Sequence, residues 1–137
     1  MSSDIVSRWP VRISIGVAPT DLDDEGRLTI DAVERYFAHA RDAYFDRCTT
    51  ISVDALDVRG SAVVAGTPIP GNPSVTISVN VVEVFPDRFT MSARIRPADR
   101  EGVAADARCS LAPKSGDVPN AMRDEFIALA HGASYTH

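Results

Sequence analysis

Apolar and polar residues alternate along the first segment of the chain that has a regular pattern. Every second position is apolar, at Val11, Ile13, Ile15 and Val17. A period of two is typical of a β-strand with one buried face. We therefore predict a first strand here, which ends where Pro19 and a cluster of acidic residues interrupt the alternation.

The longest helical pattern begins after the acidic cluster. Apolar residues recur at spacings of three and four, which places them on one face of a helix. They are Ile30, Val33, Phe37, Ala40 and Tyr44. Thr29 is a favourable N-cap residue, and the pattern extends to about Arg47. Asp31 and Arg35 are spaced for an ion pair on the surface of this predicted helix.

Three further segments alternate in the same way as the first. Apolar residues occupy every second position over 75–81, 89–95 and 103–111. Short connections join these segments, so we predict that they are antiparallel neighbours. The region before them is weaker, because Ala62 and Val64 are followed by several prolines between positions 68 and 73, a composition typical of an edge strand that leads into an irregular turn.

Two remaining segments complete the predicted elements. The residues between the long helix and Gly60 are interpreted as a loop. A second helix is predicted to open at Pro119, because proline is favoured at the first helical position. Its apolar face contains Met122, Phe126 and Leu129. Gly132 follows its predicted end.

The alternation decides the predicted architecture. Strands buried on both faces would be apolar throughout, whereas these are apolar on one face only. Five strands span about 24 Å, while a helix is about 10 to 12 Å across. We therefore predict an α+β fold, a curled five-stranded antiparallel sheet around one long helix, in a single domain over residues 1–137. An open sheet edge favours a second copy of the chain as partner.

Composition excludes several classes of protein. Hydrophobic residues make up 45% and charged residues 24%, which are ordinary globular values. The net charge is −5 and the basic residues are scattered along the sequence, so no nucleic-acid partner is expected. No apolar run is long enough for a membrane span, and residues 1–9 lack the apolar core of a signal peptide, so a cytoplasmic protein is expected. Cys109 lies on the apolar phase of a strand, as a buried reduced thiol would.

The main polar cluster is Asp-Leu-Asp-Asp-Glu-Gly at 21–26, directly before the long helix. Acids at this place complement the helix dipole and solvate a loop, which accounts for most of them. A second interpretation is calcium binding, because the spacing imitates the start of an EF-hand loop. That imitation fails at Ala32, where such a loop requires a bidentate glutamate.

The order of the segments resembles the hotdog-fold thioesterases of the 4-hydroxybenzoyl-CoA type. The resemblance covers nearly the whole chain and is carried by several short motifs. These are Asp-x-Asp-x-x-Gly at 21–26, Arg35-Tyr36-Phe37 and Ala40-Arg41 in the helix, Val63-Val64 with Pro68 and Pro70, and Val118-Pro119 with Met122-Arg123. The sequence departs from the family pattern at three positions. The family often has histidine or a hydrophobic residue where Arg27 stands, asparagine where Thr29 stands and tyrosine where Val33 stands.

The resemblance implies an activity and a site. It implies a homodimer or homotetramer that hydrolyses acyl-CoA or acyl-carrier-protein thioesters, without a cofactor other than the CoA of the substrate. It also implies that Asp23, the second Asp of the motif, is the catalytic nucleophile or general base. Thioester hydrolysis needs donors for the developing oxyanion. The first-turn amides of the helix, around Thr29, Ile30 and Asp31, would supply them.

Other candidate residues have simpler interpretations. Tyr36, Phe37 and Tyr44 are expected in the core, and His39 on the helix surface. Arg41 is expected to fix the helix to a neighbouring loop, with a CoA phosphate as the alternative partner. A non-catalytic acyl-binding or oligomerisation module on the same fold is the alternative to an enzyme.

Overall fold

The structure is a computed structural model that describes residues 9–66, 68–69, 74–98 and 102–130. Its five strands are β1 (Val11–Gly16), β2 (Leu56–Ala65), β3 (Ser74–Val84), β4 (Phe89–Pro97) and β5 (Ala105–Pro113). Its two α-helices are α1 (Ile30–Asp46) and α2 (Asn120–Ala130). Short 3-10 turns at Pro19–Asp21 and Val53–Ala55 precede α1 and β2. No helix within these ranges is long and apolar enough to cross a membrane.

The five strands form one antiparallel sheet in the order β1-β3-β4-β5-β2. The two edges are therefore β1 and β2, and the chain passes from one edge to the other through α1. Apolar positions are in register across the sheet: Ile13 is opposite Ile77, and Ile77 is opposite Ile95. This register places the alternating apolar residues of neighbouring strands on the same face, as the sequence predicts.

Helix α1 lies against this apolar face and contacts both edge strands. A helix is about 10 to 12 Å across, whereas five strands laid flat would span about 24 Å. Contact with both edges therefore requires a curled sheet. The predicted architecture, a curled five-stranded antiparallel sheet around one long helix, is confirmed.

The core lies between α1 and the sheet. The helix contributes seven buried residues, namely Ala32, Val33, Tyr36, Phe37, Ala40, Tyr44 and Phe45. At the far end of the helix α2 adds Phe126, whose ring centroid is 4.7 Å from that of Phe89. The expected burial of the three helix aromatics is confirmed, and α2 closes the core beside them.

Strand β2 begins earlier than the sequence indicates. The residues up to Gly60 were expected to form a loop, but pairing with β5 begins at Leu56. A bulge between Val58 and Gly60 interrupts the register, and most of the strand is exposed. Backbone pairing alone defines this edge strand, so it lacks the alternation that reveals the others. Positions 70–73 and Gly132, which carried other expectations, lie outside the described residues.

Candidate active site

The acidic segment forms a tight turn between β1 and α1. The amide of Asp23 donates to the carbonyl of Arg27 at 2.8 Å, and the amide of Gly26 donates back to the carbonyl of Asp23 at 3.0 Å. Gly26 has a φ of 80°, a left-handed conformation that glycine adopts without strain. The carbonyl of Gly26 also accepts the amide of Ile69, so the turn is fastened to the segment that follows β2.

The carboxylate of Asp23 is oriented by this turn. Its Oδ1 accepts the amides of Glu25 at 2.8 Å and of Arg27 at 3.0 Å. Its Oδ2 makes no hydrogen bond to any described residue, and the side chain is exposed in the single chain. The Arg27 amide, followed by that of Glu25, lowers the pKa of Asp23 below its ordinary value of 3.8. Asp23 is therefore ionised at neutral pH.

The start of α1 leaves two backbone donors open. Thr29 caps the helix, because its Oγ1 accepts the amide of Ala32 at 3.1 Å. The amide of Thr29 donates to the carbonyl of Asp21 at 3.0 Å, so the expectation that it is an open donor is wrong. The amides of Ile30 and Asp31 make no hydrogen bond within the described part of the chain. They remain available to a bound oxygen atom.

Asp21, the first Asp of the motif, has a different environment. It is buried, and its Oδ1 lies 2.6 Å from Nη2 of Arg35. Its Oδ2 accepts the Tyr36 hydroxyl at 2.5 Å and the Ala18 amide at 3.2 Å. The Tyr36 hydroxyl and then Arg35 lower the pKa of Asp21. Arg35 thus makes its closest ion pair with Asp21, and the charge of Asp31, the predicted partner, contributes more weakly to the raised pKa of Arg35.

A cavity of about 450 Å³ lies between β1 and α1 beside this buried carboxylate. Its lining residues are Ile13, Ser14, Ile15, Gly16, Asp21, Arg35, Tyr36 and His39. His39 is exposed, as expected, and stands on the rim of this cavity. Sequence patterns do not indicate the cavity, because the strand and helix residues that line it are far apart along the chain.

The other acids of the turn have simpler roles. Glu25 pairs with Arg27 at 2.6 Å, and Asp24 is exposed. Within the described ranges no group of three or more His, Cys, Asp or Glu residues could hold a metal ion. The calcium interpretation therefore has no site in this part of the chain.

Arg41 and the two cysteines pack against buried residues of the core. The Arg41 guanidinium lies 4.8 Å from the centroid of the Phe37 ring, and its Nη1 is 3.9 Å from Sγ of Cys109. The contact with Cys109 joins the helix to strand β5, whereas a neighbouring loop was the expected partner. Burial raises the pKa of the Cys109 thiol and raises that of Cys48 to about 12. Both thiols therefore stay protonated at neutral pH and are poor nucleophiles.

No protein-family model matches the chain, and no curated protein matches it significantly. Several solved structures are similar to the chain. A thioesterase from Thermus thermophilus, complexed with coenzyme A and Zn, is 24% identical with a TM-score of 0.77 and covers 91% of this chain and 98% of its own. A 1,4-dihydroxy-2-naphthoyl-CoA thioesterase from Synechocystis is 14% identical with a TM-score of 0.71 and covers 88% and 98%.

A predicted thioesterase from Bacillus stearothermophilus is 16% identical, has a TM-score of 0.70 and covers 85% of this chain and 93% of its own. The chain has the hotdog fold. The three similar proteins are matched over nearly their full lengths, so the whole hotdog architecture is shared. At these identities the likeness establishes the fold, and the activity has to be argued from the site.

Proposed function

We propose that the protein hydrolyses acyl thioesters of CoA or of a carrier protein, with Asp23 as the catalytic carboxylate. One observation carries the proposal. Asp23 is held through Oδ1 by two loop amides, its Oδ2 is open, and the helix that follows offers the open amides of Ile30 and Asp31. A held carboxylate and two oxyanion donors are the groups that acyl transfer to water requires.

The contacts of the neighbouring acids favour Asp23 over Asp21. Both oxygens of Asp21 are occupied, by Arg35 on one side and by Tyr36 and Ala18 on the other. A nucleophile or base with these contacts would have to break them in every turnover. Glu25 is paired with Arg27, and its carboxylate accepts no backbone amide of a described residue. Asp23 alone among these three is both oriented and open.

The proposed chemistry uses the ionised form of Asp23. As general base, it takes a proton from a water molecule while the water oxygen bonds to the acyl carbon. The amides of Ile30 and Asp31 donate to the oxyanion that forms. The C–S bond then breaks, and the leaving thiolate takes the proton held by Asp23, which gives a carboxylic acid and a free thiol and restores the carboxylate. Direct attack of Asp23 on the acyl carbon, followed by hydrolysis of the acyl-enzyme, gives the same products.

The similar structures support a CoA thioester as the class of substrate. The Thermus thermophilus thioesterase was solved with coenzyme A, and the Synechocystis protein is named for a naphthoyl-CoA substrate. The resemblance of the sequence to the 4-hydroxybenzoyl-CoA type agrees with this class of substrate. We propose that the protein is functionally most similar to thioesterases of that type.

We propose that the enzyme works as a homodimer or homotetramer, because the single chain leaves apolar surface beside the site. Ile30 at the helix start is 62% exposed. Strand β2 pairs only with β5 within the described sheet, and Val58 and Val64 on it are 54% and 66% exposed. A second copy paired along β2 would cover these side chains and enclose the thioester in a drier groove, where charged groups act more strongly.

The test is release of free thiol from a panel of acyl-CoA esters. Asp23→Asn keeps an oxygen that can accept the loop amides but removes the charge, so kcat should fall at least about 100-fold. The matched control is Asp24→Asn, since Asp24 is the adjacent exposed acid of the same turn. It should stay within about twofold of wild type.

Two outcomes would contradict the proposal. Wild-type turnover by Asp23→Asn would exclude Asp23 as the catalytic carboxylate. Binding of acyl-CoA by the wild-type protein without release of thiol from any ester would instead indicate a non-catalytic acyl-binding module on the same fold.

A further inference from the structure

Four arginines that are scattered in the sequence meet on the outer face of the sheet. Ala93 and Ile95 of β4 are buried against α1, so Arg94 and Arg96, which alternate with them, lie on the opposite face. By register this face also contains Arg12 on β1 and Arg108 on β5. We name these four residues the arginine face.

Among the described residues, the sheet rows that contain the four arginines include one acidic side chain, Asp106. Asp106 lies beside Arg94, with its Oδ1 2.9 Å from Nε of that residue. Arg96 and Arg108 are exposed and make no ion pair with any described residue. Two other acids lie on this side by register: Glu83, in the row next to that of Arg108 but two strands away, and Asp57, one row farther. In a chain of net charge −5 this is a local excess of positive charge.

The surface between the arginines is convex and polar, because it is the outer face of the curled sheet. Small side chains separate them in the rows of the sheet, namely Ser14, Thr76, Ser78 and Ser92. Arg12 and Arg94 are two strands apart, about 10 Å, and Arg94 and Arg96 are about 7 Å apart along one strand. Charges spread over an open, uncleft surface match a broad acidic surface better than one compact phosphate, which a cleft would enclose.

One end of the arginine face, at Arg96, lies at the end of the sheet that is next to the acidic turn. Arg96 is opposite Thr76, and Thr76 is opposite Ser14, near the end of β1. The chain leaves β1 at Gly16 and enters the acidic turn at 21–26 directly afterwards. A partner docked on the arginines would therefore lie across the open edge of β1 from the turn that contains Asp23.

We propose that the arginine face docks an acidic acyl-carrier protein, whose long flexible arm brings its thioester around the edge of the sheet to Asp23. This inference rests on the proposed function and selects the carrier-bound thioester within it. Charge complementarity is the physical basis, since a positive patch on an otherwise acidic protein steers a negative partner and sets its orientation. A nucleic acid fits less well, because the positions of β4 and β5 that form this face include no aromatic side chain on which bases could stack.

The test compares two thioesters of the same acyl group, hexanoyl-CoA and hexanoyl loaded on an acidic acyl-carrier protein. The double variant Arg96→Ser/Arg108→Ser should bind the labelled hexanoyl-carrier about tenfold more weakly in fluorescence anisotropy at low salt, with a flatter dependence on salt concentration. Its kcat/KM should fall similarly for the carrier substrate and stay unchanged for hexanoyl-CoA. The control is Arg88→Ser, because Arg88 is an exposed arginine on the β3–β4 turn that pairs with Asp87. It should leave both substrates unaffected.

Several results would overturn the docking proposal. These are no carrier binding by the wild type, equal losses for both substrates in the double variant, or a change of its assembly mass in light scattering, which would assign the face to a contact between copies. Binding of a single-stranded RNA probe that depends on both arginines, without binding of the carrier, would assign it to nucleic acid. If neither thioester is hydrolysed by the wild type, the proposed enzyme fails, while the anisotropy measurement still decides the docking.

Discussion

The Tyr36 hydroxyl donates a 2.5 Å hydrogen bond to Oδ2 of Asp21, a buried loop residue fifteen positions earlier in the chain. Arg35, the neighbour of Tyr36 on α1, lies 2.6 Å from the other oxygen of the same carboxylate. Asp21 also joins the two ends of its loop, since its carboxylate accepts the Ala18 amide and its carbonyl accepts the Thr29 amide. The position of the turn relative to the helix start thus depends on this residue.

Replacing Tyr36 with phenylalanine should lower the free energy of unfolding by about 1.5 to 3 kcal/mol, because a buried charged acceptor loses its donor. Urea denaturation of the two proteins measures the difference. Tyr44→Phe is the matched control, since the Tyr44 hydroxyl is also buried but has no hydrogen-bond partner among the described residues. Its removal should be neutral or slightly stabilising. Equal losses in the two variants would show that ring packing, not the hydrogen bond, is responsible.

The pH dependence of hydrolysis follows from the pKa of Asp23. Two loop amides stabilise its charged form, so the pKa lies below 3.8, and the carboxylate stays ionised as pH falls until that range is reached. We expect kcat/KM to show no acidic limb from this group between pH 5 and 7, with the loss confined to lower pH. A stopped assay with a chemically stable acyl-CoA ester measures the profile. An acidic limb at pH 5 or 6 that disappears in Asp23→Asn would contradict this expectation.

Helix α2 is held to the end of α1 by Glu125. Its two carboxylate oxygens accept the amide and hydroxyl groups of Thr49 and of Thr50. Glu125→Ala should therefore destabilise the fold by about 1 to 2 kcal/mol and speed amide exchange in α2, because these partially exposed bonds are worth less than buried ones. The control is Asp124→Ala, which removes an exposed acid of the same helix.

The contribution of Glu125 should also depend on pH. Although burial opposes ionisation, the bonds from Thr50 and Thr49 lower its pKa below 4.5. A lowered pKa in the folded state stabilises the fold above the unfolded value and loses that effect as pH falls through the folded value. The difference between wild type and Glu125→Ala should therefore be largest at neutral pH and shrink below about pH 4. A constant difference down to pH 3 would show that the charge of Glu125 does not matter.

The sequence predicted those parts of the fold that are set by burial. One side is exposed and the other is buried in strands β1, β3, β4 and β5 and in helix α1. The spacing of their apolar residues therefore predicts these elements. Residues 56–60 of β2 were not predicted to be part of a strand, because an exposed edge strand needs only backbone pairing with β5. Its start could not be found without its partner.

The sequence likewise predicted only part of the candidate site. The sequence identified the acidic turn and the helix N-terminus, and the structure adds which groups are engaged and which are open. The amide of Thr29 is engaged by the carbonyl of Asp21, and Arg35 reaches back to the same residue. The arginine face was also missed, because its members are brought together only by the pairing of four strands. Contacts between distant segments leave no local pattern in a sequence.

Gly66, just after β2, is a position where any side chain should be excluded. Its amide donates to the carbonyl of Ala104 at 2.9 Å, and a Cβ added to it would stand 2.0 Å from the carbonyl oxygen of Val103. Gly66→Ala must therefore push the two backbones apart, which should cost about 3 kcal/mol or prevent folding.

The matched control lies in β2 itself. A Cβ at Gly60 would meet no atom of the described residues within 4 Å, so Gly60→Ala should be neutral or slightly stabilising, because it restricts the unfolded chain. Thermal unfolding of the two variants measures the contrast. Similar melting temperatures would mean that the backbones at Gly66 and Val103 separate at little cost, and the contact between the end of β2 and the start of β5 would then not be a tight one.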